Sequence, residues 1–165
     1  MAINGWEGLF ARRGGEAVIY GVGIDLQSVP QMGEAIGRQG ERFLRKIFTP
    51  GEIAYCSKHR GAARHYAVRW AAKEAFYKAV GDVLPRKYGF LDVEVRNLPS
   101  GRPVLELHGS TGEAAAHYGL SFRISLSHSG DYALAQVIAI QEAGKAFPGI
   151  EPMREHAAGE AIRLC

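Results

Sequence analysis

Residues 62–80, AARHYAVRWAAKEAFYKAV, decide the fold. The run is rich in alanine, contains no Gly or Pro, and stops at Gly81, so it predicts one long helix. Downstream the period changes from helical to alternating. Residues 90–96 (FLDVEVR) and 103–107 (PVLEL) read as two strands joined by the turn residues Asn97-Leu98-Pro99-Ser100-Gly101, which makes a hairpin. A short helix is expected at 111–118. Residues 121–128 (SFRISLSH) and 132–140 (YALAQVIAI) then form a second strand pair, turned at Gly130-Asp131. Upstream, residues 17–26 (AVIYGVGIDL) read as a buried strand, and Pro30 sits where a helix can begin. Residues 31–47 look helical, with a break near Gly37–Gly40. Thr49-Pro50-Gly51-Glu52 carries a capping signature for a further short helix to about Ser57. Strand hairpins mixed with helices, without a regular βαβ alternation, favour an α+β fold with a mostly antiparallel sheet packed on one long helix.

The chain has 165 residues, enough for one domain and its tails. Residues 17–140 carry the patterned segments. Residues 1–16 read as an N-terminal extension and 141–165 as a C-terminal tail, with a helix conceivable near 153–164. Hydrophobic residues make up 47% and charged residues 22%, which argues against disorder. No apolar run approaches the length needed to span a bilayer, so no membrane role is expected, and residues 1–16 lack the apolar core of a secretory signal. Two cysteines, Cys56 and Cys165, make neither a disulfide framework nor a metal cluster, and a cytoplasmic location is the natural reading.

The net charge of +3 hides an asymmetry. Residues 38–102 hold 14 Lys and Arg against 6 Asp and Glu, whereas the remainder holds 6 against 11. A basic middle fits an anionic partner: nucleic acid, a phosphorylated small molecule or an acidic protein. A nucleic-acid module would interleave aromatic residues with exposed Lys and Arg. Here Tyr66, Trp70 and Tyr77 share one helical stripe, so nucleic acid is not expected as a partner.

Three residues stand out chemically. Asp25 ends the first strand, where a carboxylate projects from the sheet rim; alone it reads equally as a turn aspartate. Glu74 falls on the stripe of Tyr66, Trp70 and Tyr77, expected to face the core, where a carboxylate must be paired, protonated or bound to a metal. Lys78 lies four residues on and shares that face, so a plain Glu74–Lys78 ion pair is the bland alternative. Arg69 and Lys73 are expected to add charge to the neighbouring face. The Gly21-Val22-Gly23 pair is too sparse for a dinucleotide loop. Ser127-His128-Ser129 is a weak hydrolase signal, because neighbours on a strand point to opposite faces. Separated carboxylates, a lysine and basic surroundings suit Mg²⁺ and phosphoryl-type transfer, since Mg²⁺ takes few protein ligands and completes its shell with water and phosphate.

These residues fall in four co-linear motifs that resemble bacterial holo-acyl-carrier-protein synthase, the small class of 4′-phosphopantetheinyl transferase. They are Gly23-Ile24-Asp25-Leu26; residues 43–52 through Tyr55-Cys56; residues 69–79 (RWAAKEAFYKA); and residues 125–129 (SLSHS) followed by Tyr132-Ala133-Leu134-Ala135. The resemblance covers about residues 19–140. It implies the transferase fold and transfer of 4′-phosphopantetheine from coenzyme A to a serine of apo-acyl carrier protein, releasing adenosine 3′,5′-bisphosphate, a step of fatty acid biosynthesis. It further implies that Asp25 and Glu74 bind Mg²⁺, that Lys78 contacts the phosphates and assists proton movement, and that Arg69, Gly81, Pro103 and His128 line the coenzyme A site. A homotrimer with coenzyme A between protomers is the implied assembly. Acidic carrier proteins agree with the basic middle. The chain departs from the family pattern at Gln31, where an arginine is usual, and at the preceding Pro30. It departs again at Gly81-Asp82-Val83, where Gly-Thr-Gly is usual. The first departure bears on carrier docking, the second on the loop over coenzyme A. A non-catalytic scaffold of the same fold is disfavoured by the presence of both carboxylates and Lys78.

Overall fold

The computed structural model describes residues 17–81, 83–84 and 89–142. Both terminal segments, Asp82 and the suggested helix near 153–164 lie outside the described residues. In chain order the elements are β1 (Val18–Ser28), α1 (Val29–Ile47), α2 (Pro50–Cys56), α3 (Ala62–Val80), a 3₁₀ turn (Phe90–Asp92), β2 (Val93–Asn97), β3 (Pro103–Leu107), α4 (Gly109–His117), β4 (Leu120–Ser129) and β5 (Tyr132–Gln141). The architecture is α+β, as the mixed pattern predicts. One antiparallel sheet has the order β1-β5-β4, and β2-β3 form a separate antiparallel hairpin.

Most element boundaries move by one or two residues from the sequence reading, but the strand expected over 90–96 begins only at Val93, because Phe90–Asp92 form a 3₁₀ turn. β1 runs on to Ser28, whose hydroxyl accepts from the Gln31 amide and caps α1. The expected break in the first helix is real and sits at Gly40 (φ 63°, ψ −150°), a conformation only glycine adopts without strain. β5 continues through the buried Gln141, one residue past the expected end of the patterned region.

Two sequence features explain how α3 sits on the sheet. Gly21 and Gly23 of β1 face it, and a Cβ on Gly23 would stand 1.9 Å from the Ala75 carbonyl oxygen; on Gly21 it would stand 2.1 Å from that of Ala79. The Gly-Val-Gly pair is therefore a close-packing seam and not a ligand loop. Ala71, Ala72, Ala75 and Ala79 present the matching small face of α3, and Ala135, Val137 and Ala139 of β5 complete the contact.

The remaining sides of α3 are buried too, against expectation. Arg69 and Lys73, expected to add charge to the face beside Glu74, are fully buried, whereas Trp70 and Glu74 are half-buried and Lys78 is exposed. The stripe 70–74–78 is thus the open side of a helix that is otherwise surrounded. The aromatic residues misled the reading: Tyr66 and Tyr77 are in the core, but Trp70 lies nearer the surface, stacked between Phe43 of α1 and Phe90. Lys73 is accommodated because its ammonium donates to the carbonyls of Phe90 (2.8 Å) and Val93 (2.6 Å) and pairs with Glu52 (2.8 Å). Glu52 also accepts from the amides of Thr49 and Val95, so the capping box of α2 doubles as the anchor of a satisfied buried ion pair. Burial nonetheless pulls the Lys73 pKa below its ordinary value, against the Glu52 carboxylate that holds it up.

Candidate active site

The seam between β1 and α3 brings the carboxylate at the strand end to the open stripe of the helix. Residues 21, 23, 25 and 27 share the helix-facing side of β1. With glycine at the first two, α3 lies close enough for the Lys78 ammonium to reach Asp25 Oδ1 at 2.7 Å and the Ile24 carbonyl at 3.1 Å. Gln27 Nε2 donates to the other oxygen, Asp25 Oδ2, at 2.7 Å. The side chain of Asp25 is 11% exposed and that of Lys78 is 48% exposed, so the pair sits at the rim and not in the core. Glu74, one turn before Lys78, lies on the same helical face. Lys78 therefore pairs across to the strand, with Asp25 as a partner.

Gln27 was not singled out in the sequence. Its signal was its place two residues after Asp25, on the same face of the strand.

The expected coenzyme A residues divide into separate groups. Gly81 closes α3 at φ +55°, immediately beyond Lys78. Pro103 opens β3 at the hairpin end. Arg69 is 2% exposed and lines a cleft of about 180 Å³ with Gly51, Tyr55, Glu94, Val95, Arg96 and Asn97. Its guanidinium lies over the Tyr55 ring at 4.1 Å. It donates to Asn97 Oδ1 at 2.9 Å and to the His65 carbonyl at 3.4 Å. Arg69 precedes Lys78 by nine residues, about 13.5 Å and two and a half turns along a helix, so the two side chains leave α3 on opposite sides.

His128 is exposed at the end of β4, on the helix-facing side. Burial first, and then His59, Arg69, Arg64 and His128, pull the His65 pKa down to about 4. Ser127 pairs opposite Leu134 and points to the other face of the sheet from His128, which removes the hydrolase reading.

A carboxylate on a strand end, held by a lysine from a helix whose sequence is RWAAKEAFYKA, is the decisive arrangement. Residues 21–137 match the model of the 4′-phosphopantetheinyl transferase superfamily (ACPS). The chain belongs to this superfamily. Within it the chain is 41% identical over 122 residues to the holo-[acyl-carrier-protein] synthase of Koribacter versatilis, a match covering 73% of this chain and 98% of that protein. Its fold is similar to the crystal structure of holo-[acyl-carrier-protein] synthase from Neisseria meningitidis, with a TM-score of 0.68 and 29% identity over 74% of this chain and 98% of the other. It is also similar to the holo-(acyl-carrier-protein) synthase of Bacillus anthracis, solved in complex with CoA (3′,5′-ADP), with a TM-score of 0.62 and 31% identity over 74% and 97%. The α+β fold is thus that of the phosphopantetheinyl transferases, and the chain is an enzyme of that class. Among the described residues, no helix is long and apolar enough to cross a membrane.

Proposed function

We propose that this phosphopantetheinyl transferase moves 4′-phosphopantetheine from coenzyme A to a serine of apo-acyl carrier protein at the Asp25–Glu74–Lys78 junction, with Mg²⁺ bound there. The observation that carries the reading is the 2.7 Å contact of Lys78 with Asp25 beside Glu74.

The serine oxygen forms a bond to the phosphorus on the pantetheine side of the diphosphate. The bond from that phosphorus to the bridging oxygen breaks, and its electron pair leaves with adenosine 3′,5′-bisphosphate. Glu74 takes the serine proton, and Lys78 stabilises charge developing on the diphosphate. Gln27 orients Asp25 by holding Oδ2. The pocket beside Asp25 accepts a positive charge, since an ammonium already lies there. Among the described residues no cluster of three or more His, Cys, Asp or Glu could hold a metal. Two carboxylates with room for water and phosphate oxygens suit Mg²⁺, whereas zinc would want a fuller set of protein ligands. Bound there, Mg²⁺ would supply charge neutralisation on the diphosphate.

Two surfaces support the expected partners. Arg38, Arg42, Arg45 and Lys46 are exposed on α1, which suits an acidic carrier protein. The outer face of the sheet is apolar along β1, where Val22, Ile24 and Leu26 are each more than half exposed with Ile138 and Leu134 of β5 opposite Val22 and Leu26, and turns polar at Gln136 and at Arg123, Ser125 and Ser127 of β4. A face of this kind is covered in an assembly, and three copies arranged around it give a homotrimer. The placement of Arg69 and Lys78 on opposite sides of α3 then has a use, because coenzyme A lying between protomers takes Lys78 and Gly81 from one copy and Arg69, Pro103 and His128 from another. A cytoplasmic location follows from the need for coenzyme A.

The test is turnover with coenzyme A and apo-carrier protein in Mg²⁺, followed by chelator and Mg²⁺ restoration, with chromatographic detection of adenosine 3′,5′-bisphosphate. The reading requires stoichiometric release of the bisphosphate and recovery on restoring Mg²⁺. Light scattering should give about three times 18.0 kDa. Metal-independent turnover, or a fully active monomer, contradicts the corresponding part.

A further inference from the structure

The surroundings of Arg69 are electrically unusual. Two ion pairs nearby are closed, Glu52 with Lys73 and Arg96 with Glu106, and Glu94, which lines the same cleft as Arg69, is hydrogen-bonded with His108 at 2.8 Å. Cys56, beside Arg69, is a neutral thiol whose pKa burial pushes up to about 12. Among the described residues, the partners of the Arg69 guanidinium are neutral: the Asn97 amide, the His65 carbonyl, the Tyr55 ring and the adjacent Cys56 thiol. Its Nε is buried with no hydrogen-bond partner among the described residues. A buried guanidinium with an unused donor is costly unless an anion completes it.

Asn97 occupies the position from which that charge would most easily be neutralised. Its Oδ1 holds the guanidinium, and its Nδ2 donates to the Gly101 carbonyl at 3.1 Å. Gly101 lies at φ +82° in the turn that leads into Pro103, and its amide donates to the Leu98 carbonyl at 2.8 Å. One amide therefore ties the helix cation to the hairpin tip. An aspartate here would bind Arg69 more strongly but would cancel its charge, and it could not donate to Gly101.

We infer that Asn97 is a positioning residue for coenzyme A: it fixes Arg69 and the turn before Pro103 relative to each other while leaving the Arg69 charge free for a phosphate of the ligand. This rests on the reading that Arg69 and Pro103 line the coenzyme A site.

The test compares Asn97→Asp, Asn97→Ala and Arg69→Lys, measuring kcat, KM for coenzyme A, KM for apo-carrier protein, calorimetric coenzyme A affinity and melting temperature. Asn97→Asp is isosteric and should fold. It should raise KM for coenzyme A about tenfold to a hundredfold, the scale of a lost charge-assisted contact, and weaken calorimetric affinity equally, with KM for the carrier within about threefold of the parent. Asn97→Ala should raise the same KM by a smaller factor, because the charge survives but its position loosens. A purely structural role predicts the reverse order, with the aspartate close to the parent and the alanine worse, and that result overturns the inference. If Arg69→Lys weakens coenzyme A and Asn97→Asp does not, the positioning role fails while the site stands. If neither changes coenzyme A binding, the placement of coenzyme A at Arg69 fails and the inference goes with it.

Discussion

Gly23→Ala tests the seam that builds the site. The added methyl carbon would lie 1.9 Å from the Ala75 carbonyl oxygen, 2.7 Å from the Ala79 nitrogen and 2.8 Å from the Ala75 carbonyl carbon. All three are backbone atoms of α3, so no side-chain rotation relieves the clash. A carbon and a carbonyl oxygen need about 3.3 Å, so the helix must withdraw from β1 by about 1.4 Å. Overpacking of this kind costs about 3 kcal/mol, the upper part of its usual range, or about 10 °C in melting temperature for a domain of this size. The same withdrawal carries Glu74 and Lys78 away from Asp25, opening the 2.7 Å contact. Misplacement by about 1 Å is enough to cost about a hundredfold in turnover. Gly37→Ala is the control, because nothing lies within 4 Å of a Cβ there and the residue is helical; it should stabilise by about 0.5–1 kcal/mol. Thermal unfolding by circular dichroism, with steady-state turnover of the folded fraction, reads both effects. A Gly23→Ala protein that melts with the parent and turns over normally would refute the close-approach account.

Asp25→Asn keeps the shape that Gln27 and Lys78 hold but removes the charge, and should lower turnover at least about a hundredfold with an unchanged fold, read by kinetics alongside circular dichroism. Lys78→Met should lower turnover by a similar factor while moving the melting temperature little, since the pair with Asp25 is half solvent-exposed on the lysine side; a clearly destabilised protein with normal turnover would make Lys78 structural. Lys73→Met strands the buried Glu52 carboxylate and should cost about 3–5 kcal/mol in chemical denaturation, part of which the Glu52→Gln, Lys73→Met double variant recovers. His65 has a folded-state pKa near 4, below its unfolded value near 6.5, so the unfolded chain binds the extra proton and stability falls as pH drops from about 6.5 to about 4; His65→Gln should flatten that part of the denaturant-midpoint profile, and an unchanged slope would contradict the assignment.

The fold was largely legible because its elements carry local signals. The capping box at Thr49–Glu52, the break at Gly40, the hairpin turn at residues 97–101 and the strand alternation each encode themselves within a few residues. The direction in which α3 faces was not legible in the same way. An apolar stripe locates a core only when the opposite side meets water, and α3 is packed against β1, β5, α1 and β2 at once. Glu74 therefore looked buried when it lies on the open side. Lys73 looked like charge on the face beside Glu74 when it holds Glu52, 21 residues earlier in the chain, in the interior. The meaning of Gly21 and Gly23 was hidden for a related reason, since two small residues on a strand speak only when the helix above them is known. Asp25 and Lys78 were picked out individually, but their contact across 53 residues is a product of that packing. Asn97 gave no separate signal, because an asparagine before a Pro-Ser-Gly turn reads as ordinary turn chemistry.

Intact-mass spectrometry of an apo-acyl carrier protein tests the central claim most directly, after incubation with coenzyme A, Mg²⁺ and either the parent enzyme or its Asp25→Asn variant. The account predicts that the parent shifts the carrier by the mass of one phosphopantetheinyl group, at the carrier's serine, and that the folded variant leaves it unshifted over the same time. An unmodified carrier with the parent enzyme across a panel of carrier proteins, or equal modification by the variant, would contradict it.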